Sequence, residues 1–418
     1  MKVLWLTNTP VGASEYLKIK QPSGAWMNSL ETYIKKNNGL NLAVCFFYDG
    51  LKKFKFDYNS VTYYPIHSKK SLFWNKIKSK LFNILNDSNK SALLKVIEDF
   101  KPDIIQLFGT ESGLGEILNE VKIPVIVHIQ GLMNPCLSAW FPKGISQQKL
   151  LFNSSIRNIL LKKGILGDYY LFKKIACREE KIIKNTRNFF GRTDWDRKVI
   201  RIYNKDAKYY HCEELLRPDF YKHHWIAKGS SVLNLITTIN PNIYKGLDVI
   251  LETASILKNK SGVEFEWTII GISQNNQLVR LMEKIKKVKF KDNNVFFTGY
   301  QQTGELITRL LNSDIFIHPS HIDNSPNSVC EAMLLGMPVI AGNVGGIPSL
   351  IEHNFNGLLY NSHDPFDLAG TIIENGKNYI ELERLGNNAR QTAYERHNST
   401  NIVNNIIETY KTILSEKN

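Results

Sequence analysis

Cysteine is scarce in this 418-residue chain. The five cysteines (Cys45, Cys136, Cys177, Cys212 and Cys330) are odd in number, scattered, and never spaced C-x-x-C. That argues against a disulfide framework or a zinc site and fits reduced thiols in a cytoplasmic protein. Long apolar runs are missing too: none approaches the roughly 18 residues of a membrane-spanning helix. The opening M-K-V-L-W-L-T-N-T-P turns polar too soon for a signal peptide. There is no internal repeat and no low-complexity tract. Acidic residues fall short of basic ones, 39 Asp and Glu against 53 Lys and Arg, which leaves a formal net charge of +14.

The basic surplus is unevenly spread. Residues 141–210 hold 17 Lys/Arg against 6 Asp/Glu, and K-K-S-L-F-W-N-K-I-K-S-K-L-F at 69–82 interleaves lysines with apolar side chains. Nucleic acid, an anionic membrane face or plain solvated surface would each account for such stretches. No nucleic-acid-binding motif accompanies them, so an anionic membrane surface is the expected partner and nucleic acid is not. The expected location is cytoplasmic, peripheral at the inner face of the cell membrane.

A chain of this length exceeds what one core usually spans, so two domains are expected. Apolar, β-rich runs recur at Val3–Thr7, Leu42–Tyr48, Ile104–Leu107, Val125–Ile129, Asn188–Gly191, Lys208–His211, Val232–Ile239, Phe265–Ile270, Val295–Thr298, Ile315–His318 and Val339–Ala341. Several are nearly continuous Val, Ile, Leu and Phe, as strands buried on both faces of a parallel sheet must be. Amphipathic segments of helical length separate many of them, which predicts βαβ units and an α/β fold. The boundary is expected near 217–231, where Pro218 and Gly229-Ser-Ser punctuate the chain. The expected division is 1–222, 223–398, and a last stretch 399–418 with a helix over 399–415. Doubly wound sheets bind ligands beyond the carboxyl ends of their strands, so motifs at strand ends carry most weight.

One such motif is D-N-S-P-N-S-V-C-E-A-M-L-L-G-M-P-V-I-A-G-N-V-G-G at 323–346. Ser325-Pro326 predicts an N-cap followed by proline at the first helical position, with the helix stopped by Gly336 and Pro338. The amides of Asn327 and Ser328 would then offer an anion site suited to a diphosphate, with Glu331 further along. The spacing alone fits equally a plain capped helix with an exposed Glu. Upstream, N-L-I-T-T-I-N-P-N-I-Y-K-G-L-D at 234–248 runs a strand into Lys245-Gly. By itself that is either a diphosphate partner or a surface lysine before a helix.

Together these segments resemble the carboxylate-x7-carboxylate and Lys-Gly motifs of retaining GT-B glycosyltransferases, in the large family four of nucleotide-sugar enzymes. The match over E-A-M-L-L-G-M-P-V-I-A-G-N-V-G-G is nearly complete. Asp323 stands where the family has Glu, N-S-P replaces Gly-Phe-Gly, and Asn240 occupies the position of a usual Arg. The resemblance implies a GT-B fold, two Rossmann-like domains facing a cleft, with the last helix returning to the first domain. It also implies a UDP-, GDP- or ADP-sugar donor, no cofactor, and no metal. Lys245 would meet the diphosphate, Glu331 the ribose, Asp323 the sugar and the backbone at Gly299 the base, with Asn240, Asn324, Asn327 and Ser328 also expected to bind the donor. In the amino-terminal half it implies a phosphate or sugar contact at Gly24 and Ala25, although S-G-A-W alone fits a plain helix start. His128, ending the run P-V-I-V-H-I-Q-G-L, would be a positioning residue in the cleft, where sequence alone also fits a structural histidine.

Asp194-x-Asp196 looks like the Asp-x-Asp metal motif of GT-A glycosyltransferases. Thr193 is better placed as an N-cap with both carboxylates in the first helical turn. The implied activity is sugar transfer, with retained configuration, to a saccharide or polyisoprenoid-linked acceptor in capsule, exopolysaccharide or lipopolysaccharide assembly. Two rivals stand beside it: a nucleotide-sugar 2-epimerase, for which His128, Glu111 and Glu116 are the acid/base candidates, and a non-catalytic nucleotide-sugar-binding subunit.

Overall fold

The structure is a computed structural model and describes residues 1–19, 25–37, 39–51, 53–67, 89–153 and 164–416. The basic stretch at 69–82 and Gly24 lie outside the described residues. The chain forms two compact units. The first comprises Met1–Leu137, Gly167–Leu216 and His397–Asn418, and the second Ser138–Leu166 and Arg217–Arg396. The changeover thus falls at 216/217, ahead of the expected 222/223. Segment 138–166, expected in the first domain, groups with the second unit.

Among the described residues the first unit holds eight strands: β1 Lys2–Thr7, β2 Asn41–Phe47, β3 Phe56–Tyr58, β4 Val61–Ile66, β5 Ile104–Phe108, β6 Val125–His128, β7 Asn188–Gly191 and β8 Lys208–His211. Their order is β3-β4-β2-β1-β5-β6-β7-β8, parallel except for β3. Alternate residues of β1 feed two apolar layers, as a pleated strand requires. Val3 and Trp5 pack with Trp26, Leu30 and the carboxyl-terminal helix Ser399–Ser415. Leu4 and Leu6 pack with Leu93, Val96 and Ile183 on the other face.

The sequence reading missed β3 and β4. Pro65 within Y-Y-P-I argues against a strand, but β4 pairs with β3 only through Tyr63, so Pro65 lies beyond that ladder. Asn59 and Ser60 join the two strands at φ of 49° and 65°, a hairpin turn that Asn tolerates in the left-handed region.

The second unit holds β9 Leu233–Thr238, β10 Phe265–Ile270, β11 Val295–Gly299, β12 Ile315–His318, β13 Val339–Gly342 and β14 Leu358–Tyr360. All neighbours are parallel, in the order β11-β10-β9-β12-β13-β14. The order reverses between β9 and β12, so the loops after these strands flank the point where a doubly wound sheet opens to a ligand. The edge strand β14, three residues long, was the other strand missed.

Thr237 fastens the middle of this sheet. Its hydroxyl donates to the Ile317 carbonyl at 2.8 Å and accepts from the Trp267 indole N–H at 3.0 Å, linking β9 to both neighbours. Both side chains are buried. Thr237→Val keeps the shape but leaves an indole donor and a carbonyl unpaired. We expect a loss of about 1–3 kcal/mol in urea unfolding.

Candidate functional site

The site grows from two loops at the reversal point of the second sheet. After β12 the chain runs His318-Pro-Ser-His-Ile-Asp323, and two glycines close on its backbone. A Cβ on Gly246 (φ +79°) would sit 2.0 Å from the Pro319 carbonyl oxygen, and one on Gly345 (φ +51°) 2.0 Å from the Asp323 carbonyl oxygen. The Gly346 amide donates to that same Asp323 oxygen at 3.0 Å, and the His321 amide to the Tyr244 carbonyl at 2.8 Å. The Lys-Gly and Gly-Gly motifs therefore serve the Asp323 loop through backbone approach that a side chain would block.

Lys245 ends a short 3-10 turn, Ile243–Lys245, ahead of the helix Leu247–Ile256. Its Nζ lies 2.5 Å from Asp323 Oδ2, and both side chains are only 15% exposed. It is no surface lysine. His318 Nε2 meets the same carboxylate oxygen at 3.1 Å, and Asp323 Oδ1 accepts the Asn324 amide at 3.1 Å. Burial pulls the Asp323 pKa upward, but the Lys245 ammonium and His318 outweigh it and hold the carboxyl well below its usual range. Burial lowers the pKa of His318, partly offset by its bond to Asp323. Neutral His318 then gives its Nε2 proton to Asp323, and its buried Nδ1 has no partner.

The helix after Asp323 spans Asn327–Leu335, with Pro326 at its N-cap and no capping side chain. The expected Ser325 cap is therefore wrong: Pro326 sits one position earlier than predicted, at φ −70° and ψ 123°. Asn327 and Ser328 form the first turn, whose amides have no intrahelical acceptor. Glu331 is buried, not exposed. Its two oxygens take Arg217 Nε and an Arg217 terminal nitrogen at 2.6 Å each, a bidentate fork. Arg217 also donates to Thr303 Oγ1 at 3.1 Å and lies over the Phe220 ring at 4.6 Å. Burial raises the Glu331 pKa and Arg217 offsets part of that rise.

Among the expected site residues, Lys245, Asp323 and Asn324 meet directly, with Asn327, Ser328 and Glu331 on the helix that follows. Asn240 is exposed and accepts from Asn242 Nδ2 at 2.8 Å, at the start of the turn that carries Lys245. Gly299 closes β11 at φ +73°. Its amide donates to the Ile272 carbonyl at 3.1 Å, and its carbonyl accepts the Gly271 amide at 2.8 Å. Arg217 and His318 were not foreseen. His318 had a visible signal, a histidine ending an apolar strand beside a carboxylate. Arg217 had none, because its partner is 114 residues away.

The remaining expectations fall in the first unit. Ala25 opens the helix Ala25–Ile34. His128 ends β6, fully buried among the rings of Trp26, Phe108 and Phe190. Burial, with Arg192 adding to it, holds its pKa down to about 3. Arg192 is itself paired with Glu214 at 2.6 Å. Thr193 caps the helix Asp194–Tyr203 by accepting the Asp196 amide at 3.0 Å. Asp196 accepts from the Arg192 amide and the Tyr209 hydroxyl, and Asp194 from Arg197. Among the described residues no group of three or more His, Cys, Asp or Glu is placed to hold a metal ion. No described helix is long and apolar enough to cross a membrane.

Residues 234–392 match the family model described as Glycosyl transferases group 1. Among curated proteins, the amylovoran biosynthesis glycosyltransferase AmsK of Erwinia amylovora is 34% identical over 31% of this chain and 32% of its own length. The putative colanic acid biosynthesis glycosyltransferase WcaL of Salmonella typhimurium is 26% identical over 46% of this chain and 48% of its own. The match thus spans about a third to a half of these relatives. Among solved structures, sucrose-phosphate synthase from Thermosynechococcus elongatus superposes with a TM-score of 0.72 at 13% identity, covering 100% of both chains. Anabaena Alr3699/HepE, solved in complex with UDP and glucose, superposes with a TM-score of 0.63 at 14% identity over 98% of this chain and 99% of its own.

Two outcomes test the site's electrostatics. Lys245→Ala should cost about 3–5 kcal/mol in chemical unfolding by stranding Asp323, and adding Asp323→Asn should recover part of that loss. Below pH 6.5, the ordinary value for histidine, the unfolded chain protonates His128 while the folded protein resists down to about pH 3. Stability should therefore fall as pH drops through that window, and His128→Gln should fall less steeply in urea titrations between about pH 6.5 and 5.

Proposed function

Residues 234–392 are a glycosyl transferases group 1 domain in a chain of GT-B fold, and from that premise we propose that the protein is a retaining glycosyltransferase. It moves a sugar from a nucleoside-diphosphate donor to a saccharide or polyisoprenoid-linked acceptor in cell-surface polysaccharide assembly. The observation that carries this reading is the Lys245–Asp323 pair beside the open first turn of helix Asn327–Leu335, at the reversal point of the sheet. One cation and a set of free amides are the kind of groups that bind a diphosphate, which supports this reading. The names of AmsK and WcaL support the polysaccharide setting.

In this reading Lys245 meets the diphosphate, and Asp323 holds it in place. Glu331, oriented by Arg217, has lone pairs left to accept ribose hydroxyls. Transfer proceeds on one face of the sugar: the acceptor oxygen bonds to the anomeric carbon as its bond to the phosphate oxygen breaks. The acceptor's proton passes to the departing diphosphate. Lys245 and the helix amides hold the charge that grows there. The basic surplus of 141–210 suits an acceptor carried on an anionic membrane.

Glu111 supports a second reading. Its Oε1 accepts Asn8 Nδ2 at 2.6 Å, Oε2 is shielded and unpartnered, and burial raises its pKa. That is an acid/base group of the kind a nucleotide-sugar 2-epimerase needs.

Purified protein should be stabilised by the cognate donor in a thermal-shift comparison of UDP-, GDP- and ADP-sugars. Transfer or slow donor hydrolysis should fall about 100-fold or more in Lys245→Ala, and NMR of the product should show the donor's anomeric configuration. An inverted product would overturn the mechanism. Epimerisation of the donor without acceptor would favour the second reading.

A further inference from the structure

A cavity of about 790 Å³ opens in the second unit beside the loops that follow β12 and β14, a size usual for small-molecule sites. Neither Lys245 nor Asp323 lines it. Its wall carries a histidine pair that the reaction described above does not use. His321 is buried on the loop after β12, and its Nε2 meets Asp248 Oδ1 at 2.8 Å. On the other side its Nδ1 meets Nδ1 of His363, on the loop after β14, at 2.5 Å. The ring planes differ by 9° and their centroids lie 4.4 Å apart. Ring faces in contact stand about 3.5 Å apart, so these nitrogens meet edge to edge, as a hydrogen bond requires.

The Asp248 carboxylate orders the protons of this pair. It accepts, so His321 donates from Nε2 and, while neutral, keeps a bare Nδ1. His363 then supplies the shared proton from its own Nδ1, and its Nε2 is left as a lone pair. His363 is exposed and lines the cavity, so that lone pair is open to a ligand. Burial, with His321 and Lys143 adding to it against Asp248, lowers the His363 pKa, which keeps the lone pair free at neutral pH. The backbone there takes φ +68°, a conformation that suits glycine best. A histidine holds the position instead, and its ring is what reaches His321.

Other groups of the wall narrow the ligand. Ser362 Oγ is shielded and has no partner among the described residues. The Phe366 ring, 65% exposed, borders the same cavity at the start of helix Pro365–Asn375. The carboxylates of Asp248, Glu252 and Asp364 outnumber the ammonium groups of Lys143 and Lys286, so the lining does not favour a phosphate. A hydroxyl that donates to His363, another beside Ser362 and a C–H face over the ring together describe a sugar. We propose that this cavity is a second saccharide site, binding a neutral pyranose with one hydroxyl on His363 Nε2 and its C–H face on Phe366. The proposal rests on the glycosyltransferase reading and gives that enzyme a hold on the saccharide away from the diphosphate.

Saturation-transfer NMR with the methyl glycosides of glucose, galactose and N-acetylglucosamine tests the site. UDP, GDP and ADP are present throughout, so that the diphosphate site is filled. At least one glycoside should bind, with saturation strongest at its ring C–H protons. Phe366→Ala should raise the Kd of that glycoside about tenfold, the worth of one contact. His363→Gly, which suits the backbone at φ +68°, should do the same. No bound glycoside, or an unchanged Kd in either variant, overturns the proposal. Donor turnover that persists beside that failure leaves the transfer reading intact, whereas sugar binding without any turnover overturns the transfer reading alone.

Discussion

The ion pair between Lys245 and Asp323 is the constraint on which the second unit's working end depends. Two opposite charges, each 15% exposed, stand 2.5 Å apart in a loop junction. Neither tolerates such burial alone, so each holds the other in place. Around them the chain gives up side chains: Gly246 and Gly345 allow Pro319 and Asp323 to approach backbone to backbone. The pair therefore ties the loop after β9 to the loop after β12, across the point where the strand order reverses.

This arrangement explains why aspartate serves at 323. The short carboxylate sits on a backbone already pinned by Gly346, accepts the next residue's amide, and leaves one oxygen for both Lys245 and His318. Glu331 follows a different rule. It lies within a helix, each of its oxygens held by one arm of the Arg217 fork, and Arg217 is itself stacked on Phe220 and bonded to Thr303. One carboxylate is set by backbone closure and the other by a guanidinium brought in from a distant segment.

That difference marks what the sequence could reveal. Elements whose signal is local were readable: the near-continuous apolar runs of β1 and β12, the Thr193 cap and the last helix Ser399–Ser415 all stand where periodicity and capping rules place them. The Lys-Gly and Gly-Gly punctuation was readable as well, because glycine announces a backbone need. Features that depend on long-range contact were not. Pro65 concealed β4, since nothing local says where its neighbouring ladder stops. Arg217 lay in a stretch that looked like a linker. Trp140 comes only a short way after β6 in sequence yet belongs to the second unit, where its ring meets that of Tyr244.

The two histidines that end β6 and β12 show how far burial and neighbours divide the work. Both rings are buried, and burial is the main cause that lowers the pKa of each. Burial does not decide which nitrogen keeps the proton. At His318 the carboxylate of Asp323 accepts, so the proton sits on Nε2 and is already used. At His128 the Gln106 amide donates to Nδ1, so the proton sits on Nε2 and remains unused. One ring's proton serves its own loop, and the other's has no acceptor. The distinction lies in the second member of each pair, which no pattern at the strand end itself could disclose.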